Sequence, residues 1–383
     1  MKISKQFKKY PYRTRVIKKI ESISPEEFGR IFPPVSEGYQ FFKTLDESKF
    51  TQFLFYYILV YDHKQLVSVA PCFSVNYSLD TSMSGPLRRI SNAIKKISPH
   101  LFSIKALVCG IPMGQGQIGL ARQSRDILQA VQQRMEELAH EIHAPVIAFK
   151  DFDRSYDELF DPLIKDGFIK IDSLPMTRLN LSFSSFEGYL KTLSSATRYD
   201  FRRKLKKAAT VKIESSVVSS LDEEALDQVY SLYLQTVTAH ETGFEILPKD
   251  FFRLISQNMP HEAKFFLYRI NSRLAAFVFC LASNGVLLDY YLGLDYSQAH
   301  EYHLYFFKFK DIMDWCLAHG IKTYEMGDTG YEPKRRLGFD FVPMSLFVKM
   351  RPRPLRPVLK ILRALLKFDN FDPEIKRWKK SLK

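Results

Sequence analysis

Two stretches of the chain repeat one pattern of apolar and polar positions. Residues 53–75 give an apolar run, "FLFYYILV", a polar turn, "YDHKQ", and a second run, "LVSVAPCFSV"; residues 264–282 give "KFFLYRI", the turn "NSR" and "LAAFVFCLA". Aromatic and β-branched runs bounded by turn residues predict β-hairpins. The two lie over each other with Leu66 on Leu274 and Cys72 on Cys280. Each hairpin is succeeded by a segment of helical period, "RDILQAVQQRMEELAHEIHA" and "QAHEYHLYFFKFKDIMDWCLAHG", then by a short strand, "PVIAF" and "IKTYEM". Each copy then closes through Gly-Phe into a last strand, "DGFIKIDSLPMTRLNL" and "LGFDFVPMSLFV". One order of elements met twice reads as a tandem duplication.

The pattern predicts an α/β protein with α+β mixed sheets and two domains, 15–180 and 181–350, between a basic tail at 1–14 and a basic amphipathic tail at 351–383. In the second helix, spanning 299–319, Tyr302, Tyr305, Phe306, Phe309, Ile312, Met313 and Cys316 recur at helical spacing and form its core face. The first copy carries an insertion between hairpin and helix that includes "SLDTSMSGPLRRISNAIKKISPH". At the junction of the copies, Ser184 or Ser185 caps a helix starting at Phe186, and a second helical stretch holds a run of basic residues from Arg198 to Lys207.

The formal charge of +14 changes meaning once it is located. Residues 1–19 hold eight Lys/Arg and no acid, and residues 349–383 hold twelve against three acids, so the body between them is net acidic by three. A sequence-specific DNA binder is excluded on that ground, whereas an anionic surface met by the tails is not. Arg356, Lys360, Arg363 and Lys367 form one stripe on an otherwise apolar helix, the pattern of a helix lying on anionic lipid. The longest apolar runs have nine residues, against the roughly 20 needed to span a bilayer. The four cysteines show no metal-ligand spacing, and no metal is expected. A cytoplasmic protein, peripheral on the inner face of a membrane, fits these features.

Hairpin, amphipathic helix, strand and Gly-Phe closing strand, taken twice and joined through "SSATRYDFRRKLKKA" to an ending "YEPKRRLGF", resemble tandem acyltransferase domains of the GNAT superfamily, in its Fem-type, peptidoglycan-associated branch. The resemblance implies attack of an amine on an activated acyl donor, with acyl-CoA as co-substrate. The alternatives are an aminoacyl-tRNA donor in peptidoglycan bridge synthesis and a GNAT-like binding module without catalysis. It also places a lysine at Lys334 as stabiliser of the acyl oxyanion or of a ligand phosphate, with Tyr331 lining the same pocket. The glycine loop that clamps CoA in the superfamily is replaced here by "YSQAHEYHL".

The remaining candidates come from the residues themselves. Asp328 stands at a strand end beside Tyr331 and Lys334, and reads as a catalytic acid or as a turn former before Thr-Gly. Asp289 interrupts an apolar strand, so it must be edge-exposed, paired or catalytic. His303, at the helix start, is a candidate base or phosphate contact. Tyr290, His240, Arg335, Arg202 and Arg203 are the candidate substrate-binding residues, the two last as contacts for a phosphate-bearing donor.

Overall fold

A computed structural model describes residues 12–78, 103–239, 245–328, 330–352 and 372–381 of the chain. It opens with β1 (Tyr12–Ile17), α1 (Pro25–Gly29) and α2 (Tyr39–Glu47), then the hairpin β2 (Phe53–Asp62) and β3 (Gln65–Ser78). There follow β4 (Ser103–Cys109), β5 (Gly119–Leu120), α3 (Arg125–Glu141), β6 (Val146–Asp153), α4 (Asp157–Lys165), β7 (Ile169–Asp172) and β8 (Met176–Asn180). The junction holds α5 (Phe186–Thr192) and α6 (Ser195–Ala208), whose N-terminal amides are capped by the Ser185 and Ser194 hydroxyls. Next come β9 (Ile213–Val218), α7 (Glu223–Ala239), α8 (Lys249–Asn258), the second hairpin β10 (Ala263–Ile270) and β11 (Arg273–Ser283), and β12 (Val286–Leu294). The chain continues through α9 (Tyr296–Glu301), α10 (Leu304–Ala318), β13 (Thr323–Met326), α11 (Tyr331–Arg336), β14 (Asp340–Val342), β15 (Met344–Met350) and α12 (Pro373–Ser381).

Two mixed sheets result. The first runs β1-β2-β3-β4-β6-β15-β7 with β5 on β3, and the second runs β14-β8-β13-β12-β11-β10-β9. Both hairpins shift register at the same place. Tyr61 pairs Leu66 and Val60 pairs Ser68, while Arg269 pairs Leu274 and Tyr268 pairs Ala276. Leu66 therefore matches Leu274, and Cys72 matches Cys280. The next strands continue the match, since Cys72 pairs Cys109 and Cys280 pairs Asp289.

The closing strands depart from the pattern expected of two self-contained copies, because each is built into the other copy's sheet. The first copy's β8 pairs with β13 and β14, and the second copy's β15 lies between β6 and β7. The compact units accordingly interleave where the sequence suggests contiguous halves. One takes Met1–Pro33, Thr51–Ser173 and Ser345–Lys367; the other takes Pro34–Phe50, Leu174–Met344 and Phe368–Lys383. The segment carrying α2 thus belongs to the second unit, where α2 packs on α8.

Two further expectations are revised. The helix expected over 299–319 is two helices, broken at His303, whose φ of 50° is left-handed. The tail expected to stand apart from residue 351 includes α12, which packs on α11 with Ile375 fully buried. The lipid-helix stripe from Arg356 to Lys367, the insertion at 79–102, and His240 lie outside the described residues.

Each sheet buries one face under a long helix. In the second unit α10 buries Phe309, Ile312, Met313 and Cys316 of the expected face, together with Leu304, while Tyr302, Tyr305 and Phe306 of that face are only partly buried.

Candidate active site

The site begins with a divergence of two parallel strands. Strand β12 pairs with β13 only from Val286–Thr323 to Asp289–Met326, then continues to Leu294 with β11 as its partner. Among the described residues no strand covers the other edge of β12 beyond Asp289. Crevices at the carboxyl ends of diverging parallel strands are where α/β sheets receive ligands. A bulge sits at the same point, since Phe279 pairs Tyr291 and Cys280 pairs Asp289, leaving Tyr290 as the extra residue. It turns Tyr290 and Tyr291 together onto the α7–α8 face, where Tyr290 packs on Phe41 and Phe279 and Tyr291 on Tyr233. Asp289 keeps to the α10 face.

There Asp289 is buried, and its Oδ2 accepts hydrogen bonds from Lys308 Nζ at 3.1 Å and from the Tyr324 hydroxyl at 2.8 Å. Lys308, on α10, is fully buried, with its Nζ 5.0 Å from the centre of the Tyr305 ring. An unpaired charge at such depth would cost several kcal/mol, so the ion pair and the phenol make the carboxylate tolerable. Burial, and then Asp289 itself, pushes the Tyr324 hydroxyl well above the ordinary tyrosine value and keeps it a donor.

Lys334 completes the cluster from α11. Left-handed Gly330, at φ 63°, turns the chain into this helix, and the lysine reaches back to donate from Nζ to the Gly327 carbonyl at 2.5 Å. Burial lowers its pKa to about 8; Asp289 and Asp328 oppose the shift, and Lys308 adds to it. At neutral pH the buried ammonium is therefore mostly charged, and it sits at the carboxyl end of β13. Three further charges act on Lys334 there: Asp289 and Asp328, which favour its charged form, and Lys308, which opposes it and pairs with Asp289. Two members of the cluster, Lys308 and Tyr324, are not among the candidates named from the sequence. The signal available for Lys308 was a lysine three residues after Tyr305 and four before Ile312, on the apolar stripe of its helix.

The other candidates go elsewhere. The Tyr331 hydroxyl donates to the Pro175 carbonyl at 2.9 Å, so it anchors α11. Arg335 pairs with Glu374 at 2.6 Å, and Arg202 with Glu187 at 2.8 Å. Tyr290, on the opposite face of β12, donates to Glu37 at 2.7 Å, a buried acid the sequence analysis did not single out and whose pKa burial raises. His303 stands at the N-terminus of α10; partial burial, then Lys204 and Arg203 of α6, lowers its pKa and leaves it neutral at pH 7. Beside it a cavity of about 200 Å3 is lined by Thr197, Asp200 and Lys204 of α6, Phe306 of α10, and Pro333 and Arg336 of α11. Lys204 and Arg203 hold the Asp200 carboxyl down at about 2, and Lys204 Nζ lies 3.7 Å from the centre of the Phe306 ring.

The place of a CoA-clamping loop is taken by α9, whose first turn is closed by Asp295, accepting from the Ser297 amide at 3.1 Å. Among the described residues no group of three or more His, Cys, Asp or Glu is placed to hold a metal, and no helix is long and apolar enough to cross a membrane.

The first copy differs at the equivalent point. Cys109 stands where the second copy has Asp289, β4 ends there still paired with β6, and the chain's own glycine-rich segment bonds to β6 beyond that point. The Gly110 amide bonds to the Pro71 carbonyl and the Gly116 amide to that of Asp151, both at 2.9 Å. A Cβ on Gly116 would stand 2.2 Å from the Lys150 carbonyl oxygen, so only glycine fits.

Two mixed sheets built from one repeated order of elements define a tandem GNAT-like fold. Solved structures agree: FemX aligns over 90% of this chain and 99% of its own at 12% identity, with a TM-score of 0.55. A tandem GNAT protein from the clavulanic acid biosynthesis pathway aligns over 88% and 98% at 9% identity, TM-score 0.53. The C-terminal domain of a putative lysylphosphatidylglycerol synthetase from Agrobacterium fabrum aligns over 88% and 96% at 13% identity, TM-score 0.52. Within that fold the chain belongs to the FemAB-like family, described as peptidoglycan biosynthesis/recognition, whose model matches residues 107–360. No curated protein matches the chain in sequence.

Proposed function

We propose that this chain transfers an acyl or aminoacyl group from a phosphate-bearing carrier to an amine acceptor of the cell envelope. The observation that carries the reading is Lys334, a buried ammonium at the carboxyl end of β13 beside Asp289 and Asp328, where β12 leaves β13. Attack of an amine on an ester or thioester places negative charge on the carbonyl oxygen. A preorganised donor aimed at that oxygen in a water-poor site lowers the barrier by several kcal/mol. Lys334 supplies the donor, and Asp328 takes a proton from the acceptor ammonium so that the free amine attacks. The carrier's ester or thioester bond breaks as the carbonyl re-forms, the leaving hydroxyl or thiol takes the second amine proton, and the Asp289–Lys308–Tyr324 network holds the floor of the site rigid. Family membership and the likeness to FemX and to the synthetase domain support a cell-envelope setting.

Of the two donors, an aminoacyl-tRNA is favoured over acyl-CoA. The glycine loop is absent and α9 uses its own first amides, whereas the bases Arg203, Lys204, Lys207 and Arg336 outnumber the Asp200 and Glu332 carboxylates that pair with them, which leaves surplus charge for a phosphate backbone. The basic surplus at both chain ends supports work at an anionic membrane surface.

The test supplies the purified chain with charged tRNA or with acyl-CoA, and with a lipid amine or a peptidoglycan-precursor peptide as acceptor. Transfer from charged tRNA that Lys334→Met and Asp328→Asn abolish is the expected result. Transfer from acyl-CoA alone reverses the donor assignment. Absence of transfer from either by the folded protein overturns the proposal.

A further inference from the structure

We propose that Glu374, on α12, is a positioning residue for Lys334. The helix that carries Lys334 has six residues, under two turns, and a helix that short does not hold itself in place. Its position is set from outside: the Pro175 carbonyl and Phe341 hold its first residue, and α12 braces Phe341 there and reaches Arg335 directly near the last. At its first residue, the Tyr331 ring stands edge-on to Phe341 at 5.2 Å, and Phe341 stands edge-on to Trp378 of α12 at 5.3 Å. Near its last residue, Arg335 donates to Glu374 at 2.6 Å. Glu374 is buried to 6% exposure, and its other oxygen pairs with Arg377 of α12 itself. The Asp372 carboxylate caps the start of α12 at the Glu374 amide, 2.7 Å away, which fixes the acid that fixes the arginine.

Lys334 lies between these two fastenings. Its Nζ donates to the Gly327 carbonyl, and the charges of Asp289 on β12, Asp328 after β13 and Lys308 on α10 act on it. Loosening α11 withdraws the ammonium from that enclosure into water, where it titrates as an ordinary lysine. The consequence for turnover rests on the role proposed for Lys334; the geometric claim does not, and it can be read without substrate.

The test is competitive amine labelling of the full-length protein against pH, with the modification at Lys334 read by mass spectrometry. In the unsubstituted protein the labelling inflects near 8. Glu374→Ala is expected to move that inflection toward the ordinary lysine value of 10.5, with Glu374→Gln, which keeps an acceptor for Arg335, in between. Arg377→Ala, which touches the same carboxylate but not α11, is expected to leave it in place. Tryptophan fluorescence confirms that each variant is folded, and a retained melt with a moved inflection supports positioning. An unmoved inflection in folded Glu374→Ala, or an equal movement in Arg377→Ala, overturns the proposal. Unchanged labelling with lost turnover would refute this inference alone, and shifted labelling with full turnover would refute the role proposed for Lys334.

Discussion

Replacing Lys308 by methionine probes the cluster most directly, because it removes a charge and little else. The side chains are close in length, so the packing beneath Tyr305 is kept. What changes is Asp289, which at 6% exposure loses a cation 3.1 Å away and keeps the Tyr324 hydroxyl and the Lys334 charge that also acts there. At an effective dielectric constant of about 20, two charges at that separation attract by about 5 kcal/mol. Breaking a buried pair by removing one partner costs about 3–5 kcal/mol in practice, so a loss in that range is expected. Both tryptophans, Trp315 and Trp378, lie in the second unit, so urea unfolding followed by fluorescence isolates the unit concerned. The double variant Lys308→Met with Asp289→Leu replaces the pair by apolar groups and is expected to regain most of the loss, since such exchanges are often neutral or better. A single variant within about 1 kcal/mol of the parent, or a double variant no better than the single, would refute the burial argument.

Lys334→Met is expected to abolish transfer yet leave the second unit at least as stable at pH 7. The lysine's folded pKa of about 8 lies below its ordinary 10.5, so the penalty for burying its charge is complete below pH 8 and vanishes above about 10.5. Parent stability therefore rises with pH across that window and the variant's does not. Transfer by the parent should fall above pH 8 as the ammonium is lost, and a rate that climbs there instead would make Lys334 a base. Among the described residues Ser68 Oγ is buried with no hydrogen-bond partner, at the position where the second copy has Ala276, so Ser68→Ala should stabilise the first unit by about 1 kcal/mol by hydrogen exchange of β3. A loss of that size instead would show that the hydroxyl has a partner, such as a buried water. Gly116→Ala should weaken exchange protection of β6 through its clash with the Lys150 carbonyl and leave Lys334 labelling unchanged; altered labelling would tie the first unit's loop to the site.

The sequence by itself determined the elements and their duplication. Period-two alternation and apolar helical faces are local properties, so the hairpins, α3, α10 and the match of Cys72 to Cys280 were legible without coordinates. Asp289 and Asp328 could be named because a charge inside an apolar strand or after a strand end is conspicuous, and Lys334 through the resemblance of "YEPKRRLGF" to the Fem-type motif. Lys308 and Tyr324 could not, because one polar residue on a long apolar face reads as an accident until its partner across the sheet is known. The two closing strands, "PMTRLNL" and "PMSLFV", have similar patterns, and alternation says that a strand pairs without saying with which sheet. Only the tertiary structure decided that β8 and β15 change places, that residues 34–50 fold into the second unit, and that α12 fastens the helix bearing Lys334, because each depends on contacts between residues far apart in the chain.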